Sequence, residues 1–451
     1  MTSRREFIRT TATAGAGLSL LSSIDSIATS KNTKLRMGFI GVGFRGQGHL
    51  ARALERNDID VIAICDIQQR MMNMALAQVT RSGKARPQVI LEGPLGYKKM
   101  LENKDIDAVV ISTPWEWHAP MCLDAMNAKK YVACEVNVAM TVEECWELVH
   151  TSERTGMPLM MLENVCYRRD VMAVMNMVRQ NIFGELIHMQ AGYQHDLRGV
   201  KFNDGKDPLG AGAEFGEKAF SEAQWRTQHS VYRDGDLYPT HGIGPVSMML
   251  NINRGNRFTQ LSSYSTKSRG LHEYIVKMGG ESHPNAKVKF KLGDVVTTMI
   301  KTNNEETVLL QHDTNLPRPY SLGFRVQGTN GIWMDVNKSI FVEGQSKEHG
   351  RWEDAQAWLD KYDHPLWKKF AEDAAGAGHG GMDWFVFNAF VEAAKQRVQT
   401  PQDVYDAVTW CAISPLSEAS IAQGGAPVEF PDFTNGKWMY RKNEFALSDT
   451  Y

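Results

Sequence analysis

Tyr193 and His195 lie two apart in the stretch from Leu186 onward, so on a strand they point to one face. A second tyrosine–histidine pair stands in Tyr238-Pro239-Thr240-His241-Gly242, a loop or helix entrance. Histidine is the side chain best poised to move a proton near neutrality. A tyrosine acts as a base only with a depressed pKa or with transfer coupled to a neighbour. Any one of these residues alone is more often a core or surface side chain; the repeated pairing points to proton transfer. Arg226 follows Trp225, a pairing as often found on an ordinary surface as at a binding site, and Tyr320 follows Pro317-Arg318-Pro319.

A second chemistry is written in Gly41-Val42-Gly43-Phe44-Arg45-Gly46. The apolar run Met37 to Ile40 leads into it, a helical stretch from Gln47 to Asn57 follows, and a second apolar run, Val61 to Cys65, ends at Asp66. Strand, glycine turn, helix, strand and acid, in that order, give the motif its specificity. The first glycine allows the tight turn, the second lets backbone approach a pyrophosphate, and the third lets helix and strand pack closely. Asp66 would accept hydrogen bonds from ribose hydroxyls and repel a 2′-phosphate, which favours NAD over NADP. Ser112-Thr113-Pro114-Trp115-Glu116-Trp117-His118 follows another such run, and ligands of these sheets lie beyond the carboxyl ends of the strands. Read as a loop, it would border the nicotinamide half of NAD.

Positioning these groups requires two kinds of framework. From Lys34 to about Glu163 short apolar runs (Met37–Ile40, Val61–Cys65, Ala108–Ser112, Tyr131–Cys134, Leu159–Leu162) alternate with amphipathic stretches. This is the pattern of an α/β, doubly wound parallel sheet, a Rossmann domain over 34–163. Thr141 and Glu144 form a capping box that opens the helix Val142 to Arg154. Beyond Glu163, Asp170 to Arg179 reads as a helix and Leu186 to Gln194 as a strand. Phe258–Thr266, Asp294–Lys301, Glu306–Asp313, Ser321–Gln327 and Ile332–Val336 imply an open, mostly antiparallel sheet in an α+β domain over 164–451. The Gly-rich stretch from Gly199 to Gly216 reads as a loop near the site or an insertion, and Asp383–Gln396 and Pro401–Ile421 as helices, the second opened by its proline.

Charge is nearly balanced, 50 Lys+Arg against 52 Asp+Glu over 451 residues, so no nucleic-acid partner is implied. No run of eighteen apolar residues suggests a spanning helix. Ser3-Arg4-Arg5-Glu6-Phe7-Ile8, the mild apolar region from Thr11 to Ile24 and Ser26-Ile27-Ala28 read as a twin-arginine export signal over residues 1–30. The partner expected from this stretch is the twin-arginine machinery, with the protein in a bacterial periplasm or envelope; a homo-oligomer is left open. The six cysteines imply neither a disulfide framework nor a zinc site, and no metal is expected.

Cys134-Glu135-Val136-Asn137 is where the chain begins to resemble the Gfo/Idh/MocA oxidoreductases, which carry Glu-Lys-Pro at this strand end. Glu135 is retained, but Val136 stands where the usual acid–base lysine would be and cannot titrate. A closer resemblance, to glycoside hydrolase family 109, covers nearly the full length. It is carried by Glu163-Asn164-Val165-Cys166-Tyr167-Arg168-Arg169-Asp170-Val171-Met172, Tyr193-Gln194-His195-Asp196-Leu197-Arg198, the Tyr238–Gly242 run and Trp115 to His118. It implies an NAD-dependent glycosidase acting on terminal α-linked N-acetylgalactosamine. In that chemistry C3 of the sugar is oxidised, the acidified C2 proton is removed, and the C1 substituent leaves by elimination. Water then adds at C1 and C3 is reduced again. Ordinary glycosidases instead flank the bond with two carboxylic acids.

By this resemblance Tyr193 would be the C2 base and His241 would assist the C3 hydroxyl, or the reverse. His195, Arg226, Tyr238, Pro239 and Thr240 would bind the sugar, and Tyr320 would close the pocket. Gly41, Gly43, Phe44, Arg45, Gly46, Asp66, Trp115, Glu116, Trp117, His118, Glu135, Val136 and Asn164 would surround NAD. Glu163 is read either as part of the same boundary or as a salt-bridge partner of Arg168 or Arg169. Two rivals compete: an NAD-dependent sugar dehydrogenase or epimerase, disfavoured by the missing lysine, and an exported sugar-binding protein keeping NAD only as structure.

Overall fold

The computed structural model describes residues 34–451; the twin-arginine stretch and its apolar region lie outside them. Six parallel strands form the first sheet: β1 (Leu35–Ile40), β2 (Ile59–Cys65), β3 (Gln88–Ile90), β4 (Ala108–Ile111), β5 (Tyr131–Cys134) and β6 (Leu159–Met161). Their order is β3-β2-β1-β4-β5-β6, the doubly wound arrangement. The pairing registers align the strand ends in one row. Ile40 pairs with Cys65 and Ile111, Cys65 with Ile90, Ile111 with Cys134, and Cys134 with Met161. The residues just past those ends, among them Gly41, Asp66, Ser112, Glu135 and Glu163, therefore share one edge.

The strands are apolar runs because the sheet is covered on both faces; β4 is buried throughout. The three-residue β3 carries too little pattern to be foreseen from sequence. The helix Val142–Thr155 starts at the expected capping box, with Glu144 N donating to Thr141 Oγ1 at 3.1 Å. Two local readings are corrected. Trp115–His118 is not a loop but the first turn of the helix Trp115–Asn127, which begins directly after Pro114. The helix Val404–Ala422 is opened by Asp403, whose carboxylate accepts from Tyr405 N and Asp406 N, not by Pro401. A side-chain acceptor satisfies free first-turn amides, which a proline cannot do.

The second sheet has nine strands. They are β7 (Leu186–Gln194), β8 (Phe258–Ser265), β9 (Val295–Thr302), β10 (Thr307–Asp313), β11 (Arg325–Gly328), β12 (Gly331–Met334), β13 (Ser339–Val342), β14 (Glu353–Asp354) and β15 (Val428–Glu429). The order is β14-β13-β12-β11-β7-β10-β9-β8-β15, antiparallel except where β10 runs parallel to β7. That pairing sets Tyr193 beside His312. The helix Val404–Ala422 packs on β8 and on the helix Val142–Thr155, and the core is continuous across both sheets.

The Gly199–Gly216 stretch, read as a loop near the site or an insertion, carries packing of its own. Asn203 bridges to Glu214, and Phe202 and Phe215 join Tyr274 and Phe290 in a small aromatic cluster of their own. All six cysteines are buried free thiols. Among the described residues no helix is long and apolar enough to cross a membrane, and no cluster of His, Cys, Asp and Glu could hold a metal ion.

Candidate active site

A cavity of about 430 Å³ runs along the carboxyl edge of the first sheet and reaches Tyr193, Tyr238 and His241 of the second half. The glycine turn fits a dinucleotide. Gly41 has φ +81°, and a Cβ there would stand 2.6 Å from the Ser112 carbonyl oxygen. A Cβ at Gly46 would stand 2.1 Å from the Gly41 carbonyl oxygen, so helix and turn meet only without one. At Gly43 a Cβ would meet nothing, which leaves backbone open to the cavity where the pyrophosphate would lie. Asp66 is fixed at the end of β2 by amides, Val42 N to Oδ2 and Gln68 N to Oδ1, each at 2.7 Å. It lines the cavity with Phe44, the correct place for a ribose acceptor.

Arg45 also lines the cavity, but it is already engaged. It pairs with Glu135 at 2.9 Å and with Asp383 at 3.0 Å. Burial opposes ionisation of Glu135, yet Arg45 and His49 hold its carboxyl down at about 2. Asp383 is likewise buried, and His379 and Arg45 hold it well below the usual carboxylate range. Arg45 thus braces the glycine turn between two carboxylates while facing the cavity. Asn164 donates to Asp383 Oδ1 at 2.7 Å; its own Oδ1 is buried with no partner among the described residues. That orphaned acceptor lies on the cavity wall, where the carboxamide of a nicotinamide could donate to it.

Trp115 is almost fully buried, its Nε1 donating to the Val136 carbonyl at 3.1 Å. His118 lies with both ring nitrogens 2.7 Å from backbone carbonyls, those of Asn137 and Thr113. It ties the Ser112–His118 turn to the Glu135–Asn137 turn, and burial lowers its pKa. Trp117 and Val136 line the cavity. Glu116 does not: it is exposed on the far side of its helix, 3.9 Å from His229. One helical step turns it away from the neighbours that face inward.

The two tyrosine–histidine pairs converge. Tyr193 Oη lies 3.0 Å from His195 Nδ1. The Tyr193 ring is 4.6 Å from Tyr238 and 5.3 Å from His241, and Tyr238 is 5.0 Å from His241. Burial pushes the Tyr193 phenol up to about 12, with Arg226 opposing, so it is un-ionised near neutrality. Burial and then Arg226 lower the pKa of His195, which leaves it neutral and able to accept a proton. Arg226 lies over the Trp115 and Tyr238 rings at 5.2 and 4.8 Å and pairs with Glu222 at 2.5 Å. Its i,i+4 spacing from Glu222 was a readable signal that sequence reasoning passed over.

His241 Nδ1 lies 2.8 Å from both oxygens of Glu163, a carboxylate with no exposed surface. The alternative reading of Glu163, a salt bridge with Arg168 or Arg169, is not what the structure shows: those arginines bind Asp170 and Asp335, and Asp363. Glu163 therefore fixes the His241 tautomer and leaves Nε2 for the cavity. Pro239 and Thr240 are also corrected. Pro239 stands just before the helix Thr240–Met249 and Thr240 is fully buried, and neither lines the cavity. Tyr238 and His241, three apart, face it, while the residues between are turned into packing. Tyr320 is half exposed, its ring 4.9 Å from His195 and 6.5 Å from Tyr193, at the rim. His195 likewise touches the site through Tyr193 and Tyr320. Asp383 and His379 had no recognisable signal in the sequence.

Residues 167–440 match the C-terminal domain of glycosyl hydrolase 109, and residues 35–163 the oxidoreductase family's NAD-binding Rossmann fold. A glycosyl hydrolase family 109 protein of Stenotrophomonas maltophilia (strain K279a) is 55% identical over 453 residues, covering 99% of each chain. An alpha-N-acetylgalactosaminidase of Tannerella forsythia is 51% identical, covering 98% of this chain and 99% of that one. A levoglucosan dehydrogenase solved with NADH shares the fold with a TM-score of 0.64 at 20% identity, over 89% of this chain and 100% of that chain. With a domain of this kind behind an NAD-binding Rossmann fold, and relatives this similar over their whole length, the chain belongs to glycosyl hydrolase family 109 and is an NAD-dependent glycoside hydrolase.

Proposed function

We propose that the enzyme hydrolyses terminal α-linked N-acetylgalactosamine by oxidation at C3, deprotonation at C2, elimination at C1, addition of water and re-reduction. The sugar is supported by the Tannerella forsythia relative's name, the chemistry by the site. The carrying observation is that two proton-transfer pairs, Glu163–His241 and Tyr193–His195, meet at one cavity. Among the described residues, the carboxylates beside these pairs are committed to imidazole or cationic partners, Glu163 to His241 and Glu222 to Arg226, and so do not supply two free acids to flank a glycosidic bond.

When bound, NAD supplies reversible hydride exchange at sugar C3. His241, held through Nδ1, takes the C3 hydroxyl proton on Nε2. Tyr193 accepts the C2 proton as its own phenolic proton passes to His195 Nδ1, so no free phenolate is needed. Arg226, stacked between Trp115 and Tyr238, holds positive charge beside the oxygen that becomes electron-rich. Protons returned to C2 and to the C3 oxygen, the first after exchange with solvent on the Tyr193–His195 pair, complete the cycle.

The test is incubation with 4-nitrophenyl α-N-acetylgalactosaminide in deuterated water. Nitrophenol release with deuterium at C2 of the product is expected. Release without it would argue for direct displacement. No release, with NADH accumulating from free sugars and NAD⁺, would move the assignment to a sugar dehydrogenase. The proposal includes export by the twin-arginine route, supported by Ser3–Ile8; changing Arg4 and Arg5 to lysine should trap the enzyme in the cytoplasm.

A further inference from the structure

The segment Phe220–Trp225 crosses the cavity opposite the loop that follows β2. Asp66, Ile67 and Gln68 form one wall there, and Ser221, Gln224 and Trp225 face them. Two contacts bridge the gap. Gln68 Nε2 donates to Gln224 Oε1 at 3.2 Å, and the Arg70 guanidinium lies 4.4 Å over the Phe220 ring. The segment is also pinned from behind. The buried side chain of Asn203 donates to the Phe220 carbonyl at 2.7 Å and accepts from its amide at 3.1 Å. Between these anchors Ser221 has φ +58°, a left-handed conformation that a non-glycine residue keeps only when its surroundings impose it.

We propose that Phe220–Trp225 is a strap that retains the dinucleotide, latched by Arg70 on Phe220 and by Gln68 on Gln224. The ribose site at Asp66 lies beneath it, so the adenosine half leaves only when the latch parts. This rests on the proposed cycle, in which the hydride is returned in place and release between turnovers serves no purpose. Neither Arg70 nor Phe220 lines the cavity, so loss of their contact acts on the strap and not on a direct contact with the cofactor.

The test uses the full-length enzyme loaded with adenine-labelled NAD⁺ and chased with unlabelled NAD⁺, reading protein-bound label against time. Arg70→Ala or Phe220→Ala should each speed release about threefold, and Arg70→Ala with Gln224→Ala about tenfold. Arg70→Lys should restore near-normal release, since an ammonium also sits on a ring face. Arg70 is exposed, so its substitution should leave thermal unfolding of the NAD-free protein unchanged, separating a latch from a general loss of structure. Release at the wild-type rate in Arg70→Ala and in the double variant would overturn the proposal. So would wild-type release as fast as that of the double variant. Failure of the catalytic reading appears elsewhere, as hydrolysis without C2 deuterium by enzyme that still holds its label.

Discussion

At the scale of single residues, the Tyr193–His195 and Glu163–His241 contacts make opposite demands on Nδ1 of their histidines: in His241 it donates its proton to Glu163, and in His195 it must be free to accept one. His195 must stay neutral to accept a proton through the phenol, and burial and Arg226 keep it so. Tyr193→Phe removes one oxygen and should lower kcat by roughly 10²–10⁴-fold while changing KM little, and any product still formed should carry deuterium at C2, since elimination cannot bypass that proton. Glu163→Gln is isosteric, but its amide could donate to His241 Nδ1 and move the imidazole proton to the cavity side. A fall in kcat of about 10²-fold or more is expected, with circular dichroism unchanged. The histidines and tyrosines were readable from their pairing. Glu163's partner was not, because arginines adjacent in sequence offered a nearer choice than a histidine 78 positions away.

At the scale of elements, legibility followed how local the determining physics was. The Val142–Thr155 helix was readable from its capping box because the bonds that start it lie within four residues. Thr141→Ala should cost about 1 kcal/mol in chemical denaturation, with activity at ordinary temperature retained. The glycine turn and its two strands were readable because backbone geometry dictates the residue types. Five of the six parallel strands declared themselves as apolar runs; β3 sits at the sheet edge with only Ile90 fully buried and carries no such signature. The Pro239–Thr240 step shows the remaining gap. Their place in the motif suggested contact with sugar, but the start of a helix set which of four consecutive residues faces the cavity.

At the scale of the whole molecule, burial of ionisable groups ties stability to pH. Asp236 is 1% exposed, and its Oδ2 has no partner among the described residues. Burial pushes its carboxyl from 3.8 up to about 7, opposed by the Tyr238 amide. The folded state therefore binds a proton that the unfolded state releases between those values, so this group's contribution falls as pH rises through that window. Asp236→Asn removes the titration. The stability of the variant relative to wild type should grow from about pH 4 to about pH 7 and then level off. The total change should be of the order of 4 kcal/mol, read from urea midpoints. Glu135 works the other way: its support is present above about 4.5 and lost as pH falls towards about 2.

Glu163 follows the last strand of the first sheet, and His241 opens a helix packed on the second. The carboxylate that sets the imidazole proton and the imidazole that uses it therefore belong to opposite banks of a seam. Parting the banks by an ångström would break a 2.8 Å contact while leaving both sheets whole. A substitution that eases that seam would slow turnover with both sugar and dinucleotide still bound, and the loss would persist at saturating concentrations of both.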